Sequence, residues 1–150
     1  MLVENGKPIR RDSGIVTPDF LETNEVTNNQ SELMAALQAL LAQPPGWRGK
    51  LHTDSQVTIY RLNGGGTERS MTPVLNRELT FARGHSRCEV SLVGGHPTKI
   101  DLEKGFLKRN GAICSKWNAA CDARCCALAK WMMAWQSKKK RKTKQPPIWS

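Results

Sequence analysis

Three carboxylate side chains stand at the start of predicted helices or at the end of a predicted strand. Glu32 lies early in the first clear helix, Asp54 follows a short strand, and Asp122 lies in the last helix. Carboxylate oxygens are the ligands that hard divalent cations prefer. Each residue also has an ordinary explanation, because acidic side chains stabilise helix N-termini, cap helices or are solvated on a helix surface. Whether they act together depends on the elements that position them.

Turn signals and the spacing of apolar residues predict these elements. Asn5-Gly6 predicts a hairpin, and Asn28 or Asn29 is expected to cap the first long helix. Helical spacing covers 30–43, 56–62, 72–84 and 116–136. Strand patterns cover 1–3, 7–10, 13–16, 50–53 and 88–93. The segment 94–115 is predicted to be a long, basic loop, and the order of elements predicts a mixed α/β fold with helices covering a sheet.

Four short motifs in the chain resemble those of the ribonuclease H family, in the family's order. Thr27-Asn28-Asn29-x-x-Glu32-Leu33-x-Ala35 resembles its helix motif, and Thr53-Asp54-Ser55 resembles the motif that ends one of its strands. Gly95-His96 resembles its loop motif, and Asn118-Ala119-Ala120-Cys121-Asp122 resembles the start of its final helix. The resemblance covers about residues 1–136 and leaves 137–150 as a basic C-terminal tail.

The resemblance implies a five-stranded mixed sheet flanked by helices and an endonuclease that cuts the RNA strand of RNA–DNA hybrids. It implies Mg²⁺, or Mn²⁺, as the cofactor, with two ions about 4 Å apart activating water and stabilising the leaving oxygen. The implied metal ligands are Glu32, Asp54 and Asp122, and the implied catalytic residues are these three and His96. The implied substrate contacts are Asn28, Asn29, Gln30 and Asn118. Gly84-His85 also reads as Gly-His, but it precedes its strand, so His96 is favoured.

The chain departs from the family pattern at its start. The family opens with a central strand that carries an aspartate, whereas residues 1–6 resemble its second strand and the following turn. Asp12-Ser13-Gly14 lies too close to Thr27 to leave room for two strands between them. We expect the first strand to be encoded upstream of Met1 and the chain as given to be nearly inactive. The alternative is a domain that lacks the strand and the activity altogether.

The charge distribution keeps two other functions open. The net charge is +10, and residues 138–144 hold six of the 23 basic residues and no acidic one. Such a run favours contacts with phosphates. A non-catalytic nucleic-acid-binding module would use it in the same way as a nuclease. A DNA-directed nuclease of the superfamily is the other alternative, although the helix motif around Glu32 argues against it.

Other features bear on location and packing. No apolar run reaches the length of a membrane span, no secretory signal is recognisable, and the five cysteines are an odd number. We therefore expect a cytoplasmic protein with no membrane partner. The family resemblance implies an RNA–DNA hybrid as its ligand, and we expect the protein to be a monomer. Trp117, Trp131 and Trp135 are expected to pack in the core through the last helix.

Overall fold

The computed structural model describes residues 1–65, 71–95, 98–103, 105, 113 and 116–143, with the backbone alone at 102 and 140–143. The strands are β1 (Leu2–Glu4), β2 (Lys7–Arg10), β3 (Trp47–Thr53) and β4 (Ser86–Leu92). The helices are α1 (Pro18–Leu21), α2 (Asn28–Leu41), α3 (Gln56–Leu62), α4 (Pro73–His85), α5 (Lys99–Glu103) and α6 (Lys116–Thr143). The predicted mixed α/β class is confirmed.

The hairpin at the start of the chain forms as predicted. β1 pairs antiparallel with β2, and Asn5 and Gly6 take positive φ values of 48° and 73°. Asn-Gly tolerates these angles, which match the twist of the flanking strands. The strand predicted at 13–16 was wrong. Its Ser13 hydroxyl accepts a hydrogen bond from Arg124 in α6 (2.9 Å), and its half-buried Val16 packs against the core without strand pairing.

β3 and β4 form a separate, parallel pair, with Trp47 opposite Ser86 and Thr53 opposite Leu92. Because the pair is parallel, the carboxyl ends of both strands lie at the same edge. β3 begins three residues before the predicted start at Lys50. Gly49 weakened the strand pattern there, yet it is a paired residue, and a Cβ at Gly49 would overlap the Trp47 indole.

The core lies between α2 and α4, and it also includes Leu21 of α1. Its buried apolar residues are Leu21, Leu33, Met34, Leu37, Leu40, Val74, Leu75, Leu79 and Ala82. The predicted cap at Asn28 or Asn29 was wrong by a residue, because Thr27 caps α2. The Thr27 hydroxyl accepts from the Gln30 amide (3.2 Å), and the Gln30 side-chain carbonyl accepts from the Thr27 amide (2.9 Å). This reciprocal pair fixes the start of α2.

Further differences from the predicted elements lie after β4. The predicted loop 94–115 contains α5, where Asp101 accepts hydrogen bonds from the Thr98 amide and hydroxyl. α6 continues to Thr143 rather than ending near Gln136, since lysine and arginine favour helix and no glycine or proline intervenes. The core position expected for Trp131 and Trp135 was wrong, because they are 60% and 47% exposed. Over the residues that the structure describes, no helix is long and apolar enough to cross a membrane.

Candidate functional site

Asp54 lies at the junction between β3 and α3, and the local hydrogen bonds leave its carboxylate out of the helix cap. Ser55 is the N-cap of α3, with its hydroxyl accepting from the Thr58 amide at 3.2 Å. The Ser55 amide in turn donates to the Thr53 hydroxyl at 3.1 Å. The half-buried Asp54 side chain is therefore held at the carboxyl edge of the β3–β4 pair without serving as a cap.

The chain after β4 closes against Asp54. The Val93 amide donates to the Thr53 carbonyl (2.9 Å), and the Gly94 amide donates to the Ile113 carbonyl (2.9 Å). Gly95 then passes so close to Asp54 that a Cβ at this position would overlap the carboxylate oxygen Oδ2 and lie 3.0 Å from Cβ and Cγ. A side chain at position 95 would therefore force Asp54 to move. The sequence motif included Gly95 only as the neighbour of His96, so this packing role was not predicted. A glycine directly after a strand is nevertheless a sign that another group approaches the backbone closely.

The start of α6 supplies the third side of the site. Asn118 Nδ2 donates to Asp54 Oδ2 at 3.2 Å, a contact between residues 64 positions apart. Asp122 follows Asn118 by one helical turn and so lies on the same side of α6. Both side chains are half-buried. The predicted residues Asp54, Gly95 and Asn118 therefore meet, with Asp122 on the adjoining turn.

The charge of Asp122 affects the pKa of the neighbouring Cys125 thiol. The pKa of Cys125 is raised, first by burial and then by the nearby Cys121 and Asp122. A negative charge raises a thiol pKa because it disfavours the thiolate. The pKa of Cys125 is therefore sensitive to the negative charge at position 122.

Glu32 lies on a different element, as the fifth residue of α2. It is half-buried, and Asn28 Nδ2 donates to its Oε1 at 3.1 Å. Within the described part of the chain, no hydrogen bond joins Glu32 to Asp54. Asn28 and Asn29 are exposed, whereas Gln30 is 7% exposed and closes the α2 cap. Gln30 thus positions the turn on which the two asparagines are presented.

Some of the predicted residues lie outside the described ones. His96 is among them, and most of the predicted basic loop between 104 and 115 also lies outside the described residues. In the described ranges, no three histidine, cysteine, aspartate or glutamate side chains form a group that could hold a metal ion. The chemistry of Asp54 and Asp122 nevertheless suits Mg²⁺, which prefers carboxylate oxygens and keeps several of its waters. The Asn118 amide engages Oδ2 of the Asp54 carboxylate.

Comparisons with known proteins do not assign the chain to a family. No protein-family model, no curated protein and no solved structure matches the chain.

Proposed function

We propose that this chain is a ribonuclease H-like nuclease domain that cuts the RNA strand of RNA–DNA hybrids with Mg²⁺ or Mn²⁺. The observation that carries the proposal is the hydrogen bond from Asn118 to Asp54 (3.2 Å), with Gly95 packed against the same carboxylate. Three motifs that are far apart in the sequence supply these three residues. Motifs that resemble a family only by chance would have no reason to meet at one carboxylate.

The carboxylates would hold the metal, and Asn118 would orient one of them. Bound Mg²⁺ would supply Lewis-acid stabilisation of the phosphate and lower the pKa of a bound water. Asp54, Asp122 and Glu32 are the proposed ligands. The Asn118 amide fixes Asp54 Oδ2 and thereby the direction of Oδ1. Asn118 is thus a positioning residue, a role that typically changes metal affinity or activity by about 10- to 100-fold.

The remaining predicted residues would handle the proton and the substrate. His96 is proposed to move protons or aid product release, since a histidine can change charge near neutral pH. Asn28 and Asn29, exposed at the start of α2, are proposed to contact the 2′-hydroxyls of the hybrid's minor groove. Glu32 accepts from Asn28 at 3.1 Å, so α2 would link metal binding to substrate contact.

The sheet of the proposed family would also explain the two separate strand pairs. Among the described residues, the β1–β2 hairpin and the β3–β4 pair do not hydrogen-bond to each other. In a ribonuclease H sheet, a central strand with a further aspartate lies between the corresponding pairs. We therefore propose that these residues hold an incomplete ligand set and cleave slowly.

The test is cleavage of a fluorescent RNA–DNA hybrid by the full chain in excess, with Mg²⁺ or Mn²⁺ and long incubation. The expected result is slow cleavage of the RNA strand that EDTA abolishes. Asp54→Asn should reduce it to the level of the enzyme-free control. Asp12→Asn is the matched control, since it removes an exposed carboxylate that pairs with Arg10, and it should cleave like the parent chain.

Other outcomes would select the alternatives. Hybrid binding without metal-dependent cleavage, in both the parent chain and Asp12→Asn, would favour a non-catalytic binding module. Preferential cleavage of duplex DNA in the same assay would favour a DNA-directed nuclease. Equal cleavage by the parent chain and Asp54→Asn would contradict the proposed site.

A further inference from the structure

The last 16 residues of α6, 128–143, are called the α6 arm. Its described side chains, which end at Lys139, include exposed aromatic and basic ones. From Ala129 to Lys139 every residue except Met132 is exposed. Trp131 and Trp135 are 60% and 47% exposed, although large aromatic rings are the side chains that gain most from burial. The arm has six lysine and arginine residues and no acidic one. Exposed rings in such a segment point to an anionic partner that also covers aromatic surface.

The rings and the first lysines of the basic run share one side of the arm. Trp135 follows Trp131 by four residues, and Lys138 and Lys139 follow Trp135 by three and four residues, which places all of them on one face. The Lys139 ammonium lies 5.1 Å from the centroid of the Trp135 ring, in agreement with this placement. Met133, 67% exposed, lies on the opposite face.

This arrangement distinguishes between possible partners. A helix that lies in a bilayer surface keeps its charges on the face away from its apolar residues. On the α6 arm that geometry would bury Lys138 and Lys139 together with the two tryptophans. A second copy of the arm would bring two strongly basic segments together, which repel each other. Single-stranded nucleic acid needs rings and ammonium groups on the same face, since its bases stack while its phosphates pair with cations.

We propose that the α6 arm binds a single-stranded stretch of nucleic acid, with bases stacked on Trp131 and Trp135 and phosphates contacted by Lys138 and Lys139. The arm is continuous with the part of α6 that contacts Asp54. Asn118 and Trp135 are 17 residues apart, or about 26 Å along a helix. That length equals about seven to eight nucleotides along one strand at about 3.4 Å each.

Binding of labelled single-stranded RNA and DNA oligonucleotides to the full chain, measured by anisotropy over a range of salt concentrations, tests the proposal. Trp131→Ala/Trp135→Ala should weaken binding about tenfold or more, while Trp131→Phe/Trp135→Phe, which keeps the rings, should weaken it much less. Met133→Ala is the matched control on the opposite face and should bind like the parent chain. Circular dichroism checks that all variants keep their helix content.

The lysines have a separate signature. Lys138→Gln/Lys139→Gln should lower the slope of log affinity against log salt by about 1.4, because each phosphate that a lysine neutralises on a single strand contributes about 0.7. Lys7→Gln/Lys50→Gln removes the same charge from exposed positions in β2 and β3, and should leave the slope unchanged. Equal effects of the two pairs would overturn a specific role for the arm.

Binding to vesicles that contain phosphatidylserine tests the alternative that the arm binds a membrane surface. If the alanine pair at Trp131 and Trp135 lost vesicle binding and kept oligonucleotide binding, the arm would be a membrane element and the proposal would be wrong. Equal losses in Met133→Ala would also overturn it, because binding would not depend on the face that carries the rings.

The link between the arm and the Asp54 site rests on the proposed function and is tested separately. A hybrid with a single-stranded extension of about eight nucleotides, the number that the helix length suggests, should bind more tightly than the blunt hybrid. This difference in affinity should disappear in Trp131→Ala/Trp135→Ala. It should remain in Asp54→Asn, which should lose cleavage. If the parent chain does not cleave the hybrid but still binds the extended hybrid more tightly, the result supports nucleic-acid binding by the arm and contradicts the proposed nuclease activity. No difference between the two hybrids would contradict the link.

Discussion

α2 and α6 are both rich in apolar residues, yet the fold uses them in opposite ways. α2 places Leu33, Leu37 and Leu40 at helical spacing, and they are 2%, 0% and 3% exposed. α6 holds several large apolar side chains in its second half, but most of them face solvent. Burial in these two helices therefore follows the pattern of apolar residues rather than their number. It also separates a helix that forms the core from a helix that contacts the body mainly through its first turns.

The largest expected effect contrasts one core residue with one arm residue. Leu37→Ala should lower the free energy of unfolding by about 2–5 kcal/mol, since it leaves a cavity around a fully buried leucine. Trp135→Ala removes a larger side chain and should change stability by less than about 0.5 kcal/mol, because surface substitutions rarely do more. Urea unfolding followed by circular dichroism measures both. A loss of stability at Trp135 as large as the loss at Leu37 would show that the arm packs against the body.

The next effect concerns the junction where α6 meets the β3–β4 edge. Gly95→Ala should push Asp54 away from Asn118, since the added methyl group would overlap the carboxylate. We expect a loss of about 1–3 kcal/mol in the free energy of unfolding, as for other overpacked sites, together with loss of hybrid cleavage. Gly84→Ala is a suitable control, because a Cβ at Gly84 has no atom within 4 Å. Normal cleavage by Gly95→Ala would contradict the close approach.

A smaller effect is expected at the start of α2. Thr27→Ala removes the hydroxyl that accepts from the Gln30 amide, and caps of this kind contribute about 1 kcal/mol. Substrate affinity should also fall, because the same turn presents Asn28 and Asn29. Thermal unfolding and hybrid binding, with Thr80→Ala on the exposed side of α4 as the reference, measure the two effects. Unchanged hybrid binding would show that the Thr27 cap does not influence the substrate contacts of Asn28 and Asn29.

The smallest effect is electrostatic and lies at the turn of α6 that bears Asp122. Asp122→Asn removes a negative charge that raises the pKa of Cys125, so that pKa should fall toward its ordinary value. More thiolate is then present at any pH below the thiol pKa, and iodoacetamide should alkylate Cys125 faster. Mass spectrometry of single-site alkylation between about pH 7 and 8, a range below an ordinary thiol pKa, measures the change. A slower reaction in Asp122→Asn would contradict the sign.

The sequence predicted the elements whose signals are local. Asn5-Gly6 predicted the hairpin, and Thr72-Pro73 predicted the start of α4, because these dipeptides have strong conformational preferences. The end of α6 lacked such a signal, since its lysines and arginine favour helix as much as tail. The Thr98-x-x-Asp101 cap of α5 was a local signal that the predicted loop overlooked.

The site divides in the same way between local and long-range determinants. Motif resemblance selected Asp54 and Asn118, but their contact spans 64 residues and depends on how α6 packs against the strand edge. Nothing in the spacing of either motif determines that geometry. The exposure of Trp131 and Trp135 was not predictable from composition, because aromatic residues are usually buried by a partner element.

The most direct test of the account is Mn²⁺ binding to the full chain, measured by electron paramagnetic resonance of the free ion. We expect one or two saturable sites whose affinity falls in Asp54→Asn, Asp122→Asn and Glu32→Gln. Asn118→Ala should weaken binding by about 10- to 100-fold, and Asp12→Asn should not change it. Binding that is the same in the parent chain, Asp54→Asn and Asp122→Asn would contradict a metal site at this edge of the fold.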